Sequence, residues 1–116
     1  MIVAVQGTNS FEDYNVFLRA MGVALSSMND EDKEFLIYSA GHAKINSMVS
    51  EFSNLSERGL KARGKKIKYF KVPPTWIEEN IESFNYVAFF SKPKESVSKI
   101  VASAELKDIE VGIFRY

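Results

Sequence analysis

The chain has 116 residues, 46% of them hydrophobic, a size that suits one domain with a single core and is too short for two. Fifteen lysines and arginines balance fifteen aspartates and glutamates, so no overall field steers the molecule toward nucleic acid or an anionic membrane. The absence of cysteine excludes disulfides, thiolate catalysis and Cys-ligated zinc; with no apolar run near the roughly 20 residues that span a bilayer and no signal-peptide pattern, a cytoplasmic location is expected.

Short β-branched or aromatic runs alternate with longer segments of helical period, the pattern of a parallel sheet covered by helices. Ile2 to Val5 is the first strand. It breaks at Gly7, and the polar turn Gly7-Thr8-Asn9-Ser10 leads into a helix whose Tyr14, Phe17, Leu18, Met21, Leu25 and Met28 recur at steps of three and four. Glu34 to Tyr38 is the second strand, followed by the Ser39 to Lys44 loop and a helix with Ile45, Met48, Val49, Phe52 and Leu55 on one face. That helix ends before or within the polar stretch from Arg58 to Lys66, and Ile67 to Phe70 is the third strand. Pro73-Pro74 is extended, and Thr75 with Glu78 reads as a capping box for a short helix carrying Ile77, Ile81 and Phe84. Tyr86 to Phe90 is the fourth strand; Val97, Ile100, Val101 and Ala104 mark the last helix; Glu110 to Phe114 is the fifth strand.

Right-handed crossovers between such strands give a Rossmann-like three-layer α/β domain with strand order 3-2-1-4-5, the winding reversing between strands one and four. Ligands of open α/β sheets bind beyond the carboxyl ends at that reversal. The expected rim is therefore Gln6 to Ser10 and Ser91 to Ser96, with Ser39 to Lys44 alongside.

On these residues the chain resembles a family. Gly7-Thr8-Asn9-Ser10-Phe11-Glu12-Asp13-Tyr14 is similar to the glycine-serine-arginine, phenylalanine, aspartate-tyrosine opening of the YspA-like members of the SLOG superfamily, which also holds the LOG hydrolases and the DprA proteins. Ser39 to Asn46 stands at that family's second loop, Phe70 to Trp76 at a segment ending in tryptophan, and Ala88-Phe89-Phe90 at the strand before its third loop. The resemblance implies a nucleotide-like ligand and, because LOG-like proteins are commonly dimers, a homodimer. Three departures fall on ligand-handling groups. Asn9 replaces an arginine, Gly41 is the one glycine kept in the second loop, and Ser91-Lys92-Pro93-Lys94-Glu95-Ser96 replaces a glycine-rich loop that in the hydrolases ends on a threonine and a catalytic glutamate.

Each candidate residue carries two readings. Gly7 either lets the chain leave the strand or lets a ligand approach. Ser10 reads mainly as a helix cap, while Thr8 and Asn9 can cap or face a ligand. Asp13 and Glu95 are the candidate acids or nucleophiles, and each also suits the first turn of a helix. His42 can donate a proton or contact phosphate, and otherwise serves the turn after Gly41; as the sole histidine it offers no metal site. Lys44, Lys92 and Lys94 can supply positive charge to an anion, the last two in place of the missing glycines' N–H groups, with Ser91 beside them. The run Lys61, Arg63, Lys65, Lys66, Lys68 reads as a solvated helix end before nucleic-acid contact, and Asp30-Glu31-Asp32 as a loop. Trp76 is a lid near the crevice or a dimer contact. The reading that unites these residues is a binding module or sensor for a nucleotide or nucleotide-derived molecule, held by Gly7 to Ser10, Gly41, His42, Lys44, Ser91, Lys92 and Lys94, with no metal and no cofactor. The alternatives are an N-glycosidic hydrolase or transferase using Glu95 or Asp13, and a non-catalytic interaction scaffold.

Overall fold

The computed structural model describes residues 1–116. Strands β1 (Ile2–Gly7), β2 (Glu34–Ser39), β3 (Lys66–Lys71), β4 (Tyr86–Ser91) and β5 (Glu110–Arg115) form one parallel sheet in the order β3-β2-β1-β4-β5. Each strand ends one or two residues later than its apolar run, because parallel pairing continues after the hydrophobic side chains stop: Gly7 still pairs with Phe90, and Ser91 with Arg115. Central β4 is buried at every position, whereas edge strand β3 is exposed at five of six and carries Lys66, Lys68 and Lys71, charges that discourage pairing with another sheet.

Helices α1 (Tyr14–Ser26) and α2 (Ala43–Ala62) cover one face of the sheet. Phe17, Met21, Ile45, Val49 and Phe52 interlock there with Val3, Val5, Phe35, Ile37 and Phe90. On the opposite face α3 (Pro74–Glu79) and α4 (Lys99–Leu106) set Ile77, Ile100 and Ala104 against Ala4 and Val87, with Ile81 and Phe84 from the 3₁₀ turn Ile81–Ser83 and its exit. No helix is long and apolar enough to cross a membrane.

Three local readings change, and Trp76 gains internal partners. Leu55 is 65% exposed: on a helix of 3.6 residues per turn a step of three from Phe52 leaves the buried side, and Leu60 continues the stripe instead. Thr75 does not cap α3; Pro73 is the N-cap and Pro74 opens the helix, where its fixed φ and missing N–H cost nothing. Val97 precedes α4 and is exposed. Trp76 lies flat on Tyr38, ring centroids 4.9 Å apart, with Phe84 edge-on at 6.3 Å, so its indole packs within the chain.

Helix α2 closes through a Schellman arrangement, in which Gly64 at φ 73° lets its own N–H reach Lys61 O (3.0 Å) and Lys65 N–H reach Leu60 O (2.8 Å). This turn drives Lys65 inward. It is 4% exposed, and its Nζ donates to Asn29 O (2.9 Å) and to Asp32 O. The acidic turn is thereby a closed structural loop, since Asn29 Oδ1 also accepts from Glu31 N–H and Asp32 N–H. Lys65 thus leaves the solvated basic run, and Lys68 is paired with Glu34 at 3.6 Å. Replacing Lys65 with Met should destabilise the fold by about 1–3 kcal/mol, the cost of orphaning two carbonyls that bond a charged donor. Urea unfolding checks this, and an unchanged midpoint would mean that Lys65 is a surface residue.

Candidate functional site

At the carboxyl edge of the sheet the chain makes three loops, Thr8–Asp13 after β1, Ala40–His42 after β2 and Lys92–Ser98 after β4, with Tyr116 following β5. Thr8 is common to all of them. Its N–H donates to Phe90 O (3.0 Å), its carbonyl accepts from His42 Nε2 (2.9 Å), and its Oγ1 lies 2.6 Å from Tyr116 Oη and 3.4 Å from Glu95 Oε1. A carboxylate only accepts, so Thr8 donates to Glu95; Tyr116 can then donate to Thr8, and Ser10, 2.7 Å from Tyr116, to the phenol. The four side chains form one directed chain of hydrogen bonds.

The first loop takes this course because Phe11 is fully buried. A turn closed by Phe11 N–H to Thr8 O carries its ring onto Phe90, 4.4 Å away and nearly parallel, with Tyr116 at 4.9 Å. The detour delays the helix. Asp13, not Ser10, is therefore the N-cap of α1, its Oδ1 accepting from Val16 N–H at 3.2 Å, and Ser10 is freed to bond Tyr116. Asn9 stands exposed at the tip.

Gly7 and Gly41 serve packing. A Cβ on Gly41 would lie 2.8 Å from Ile45 Cβ and Cγ2, and one on Gly7 would lie 2.7 Å from Ile45 Cδ1 and 3.2 Å from Phe90 Cβ. The two glycines let the first turn of α2 sit against the ends of β1 and β2. His42 caps that turn: Nδ1 accepts from Lys44 N–H (3.2 Å), so the proton is on Nε2, which donates to Thr8 O. Both ring nitrogens are engaged. Lys44 reaches back to Glu12 at 2.6 Å, and its hydrogen bond, then its charge, hold the Glu12 carboxyl below the usual carboxylate range. The small contribution of this exposed pair is present above the ordinary glutamate pKa and is lost as the pH falls through the lowered value.

The third loop is braced from within. Glu95 N–H bonds Lys92 O (3.2 Å), and Glu95 Oε1 accepts from Lys92 N–H (2.5 Å). Pro93 and Lys94, at φ 75°, occupy the central positions of a type II turn, the second of which favours glycine. Arg115 Nη1 donates to Lys92 O (3.0 Å) and to the fully buried Ser91. Lys92 and Lys94 are exposed with no ion-pair partner.

The structure thus brings Thr8, Ser10, His42, Ser91, Lys92 and Glu95 into one bonded cluster, leaves Asn9 and Lys94 on its rim, and turns Asp13 and Lys44 to structural use. Arg115, Tyr116 and Phe11 join it without having been assigned there from the sequence. Extending the rim to the end of β5, which follows from the strand order, would have found the first two; nothing in the local pattern marked Phe11 as buried. No three His, Asp or Glu side chains gather as a metal-ligand set. The two concavities of the surface lie elsewhere, one of about 520 Å³ between α2 and β3 and one of about 290 Å³ around Lys61, Lys65, Lys66 and Lys68. Compared with known proteins, the chain matches no family model, no curated protein and no solved structure.

Two substitutions test this geometry. Gly41→Ala should cost about 1–3 kcal/mol by overpacking against the root of Ile45, and Ile45→Val in the same chain should cost less than in the wild type, since it removes one of the clashing atoms; additive urea midpoints would contradict the contact. Lys94→Gly should leave stability unchanged or raise it by up to about 1 kcal/mol, because relief of a left-handed residue offsets the flexibility of glycine. A loss on that scale would show that Lys94 is not left-handed.

Proposed function

We propose that the domain is a non-catalytic binding module for a nucleotide or nucleotide-derived anion at the carboxyl ends of β1, β2 and β4. The observation that carries this reading is the division of charge at the rim. Lys92, Lys94 and Arg115 are exposed at the same edge as Thr8, Asn9 and Ser10, whereas the three carboxylates there are engaged within the chain: Asp13 caps α1, Glu95 Oε1 accepts from Lys92 N–H, and Glu12 pairs with Lys44. Cations on a braced backbone suit a phosphate. A glutamate whose oxygen already accepts from a backbone N–H and a threonine is poorly placed to attack a sugar carbon, which weighs against the N-glycosidic alternative. The likeness of the first loop to the SLOG opening supports the same ligand class. Arg115 also brings an arginine to a rim where Asn9 stands in place of the family's own.

A second reading, an interaction scaffold, draws support from the burial of Phe11 and the packing of Tyr116 against it, which fill the space between the first and third loops. A thermal-shift screen with nucleoside mono-, di- and triphosphates and dinucleotides at about 1 mM separates the two. A ligand at ten times its Kd adds about 1.4 kcal/mol, which raises Tm by several degrees in a domain of this size. The shift should be lost in Lys92→Glu/Lys94→Glu, with no free base released in the mixtures. No shift with any ligand would favour the scaffold; base release abolished by Glu95→Gln would favour the hydrolase.

A further inference from the structure

The larger concavity lies where α2 passes over the edge strand. On the α2 side of β3 stand Tyr69 and Lys71, and the helix answers them with Ala43, Asn46, Ser47, Ser50, Glu51 and Asn54, side chains too short or too polar to close on the strand. A groove of about 520 Å³ results, within the ~300–1,000 Å³ range of small-molecule sites. The rest of α2 is ordinary: Ile45, Met48, Val49 and Phe52 pack into the core.

Its lining has a particular chemistry. Two carboxamides, three hydroxyls with that of Tyr69, one carboxylate and one ammonium supply both donors and acceptors, and the single negative and single positive side chain cancel. Two members are oriented from below: Asn46 Oδ1 accepts from Ser39 at 2.6 Å, which leaves its NH₂ to the groove, and Tyr69 Oη donates to Ser50 Oγ at 3.1 Å. Ser47, Glu51, Asn54 and Lys71 make no side-chain hydrogen bond or ion pair within the chain, and the Tyr69 ring is 38% exposed. An inorganic anion would meet Glu51, and an apolar ligand would strand the amides. A ring carrying several hydroxyls satisfies both kinds of group, because each hydroxyl donates and accepts and the C–H face of the ring lies on an aromatic side chain.

We propose that the α2–β3 groove binds a sugar ring, with Glu51, Asn46, Asn54 and Lys71 bonding its hydroxyls and Tyr69 beneath it. The ring belongs either to a free saccharide or to the ribose of a nucleoside. The groove does not rest on the rim site, since it shares no residue with Lys92, Lys94 or Arg115.

Nitrogen-15 chemical-shift mapping of the full chain tests it, with D-galactose, D-glucose, D-ribose, adenosine and 2′-deoxyadenosine as probes. A saturable shift confined to amides near 43–54 and 69–71 is expected with at least one probe. Glu51→Gln and Asn54→Ala should each weaken it about fivefold or more, as the loss of a ligand hydrogen bond does, with Tm unchanged because both side chains are exposed. Shifts with D-galactose or D-glucose identify a saccharide, and shifts with D-ribose, or with adenosine but not its 2′-deoxy form, identify ribose; either supports the groove, whereas equal shifts with adenosine and 2′-deoxyadenosine and none with a free sugar would read the base and overturn it. No saturable shift at these amides with any probe, or one indifferent to both substitutions, overturns it. Lys92→Glu should leave the titration unchanged, so failure of the rim reading and failure of the groove are distinguishable.

Discussion

The carboxyl edge of this sheet is organised by how the chain leaves β1. Pairing of Gly7 with Phe90 continues one step further through Thr8 N–H to Phe90 O, and this fixes the threonine between the second and third loops, where His42 and Glu95 bond it from either side. The same exit commits Phe11 to the core. Without that anchor the first loop would keep only surface hydrogen bonds, each worth about 0.5–1.5 kcal/mol net, against the entropy of ordering six residues between β1 and α1. A buried aromatic ring stacked on another supplies what the polar contacts alone do not.

This arrangement separates two properties that often coincide at the switch point of an α/β sheet. Bracing is provided from inside, by Thr8, His42, Glu95, Tyr116 and the glycine contacts with Ile45. Charge is provided outside, by lysines that no acid neutralises. On the proposed reading such a surface meets its ligand already in place, and within the bonded cluster Glu95 Oε1 and both ring nitrogens of His42 already have partners.

Much of the fold was legible in the sequence. All five strands, their order and the layering of helices follow from apolar runs alternating with helical periods, because parallel strands buried on both faces must be apolar throughout, and Tyr86 to Phe90 is. Local errors arose where two physical rules competed. At Ser10 a good cap lost to the burial of Phe11; at Thr75 a capping box lost to a proline that opens helices; at Leu55 a step of three lost to the true period. Lys65 was hidden in a basic run because the inward turn after Gly64 depends on backbone geometry that composition does not display. For the site, the loops were placed by topology, but the partners within them were not. Which hydroxyl meets Tyr116, or that Arg115 covers the third loop, depends on contacts between residues about a hundred or more than twenty positions apart.

On the proposed function, a braced rim around Thr8 presents Lys92 and Lys94 to a phosphate-bearing ligand. Backbone amide chemical-shift mapping with a nucleoside triphosphate tests it most directly. Saturable shifts clustered at residues 8–10 and 92–95 are expected, with the core strands unaffected. Shifts concentrated instead at the lysines from Lys61 to Lys68, or none at millimolar ligand, would contradict it.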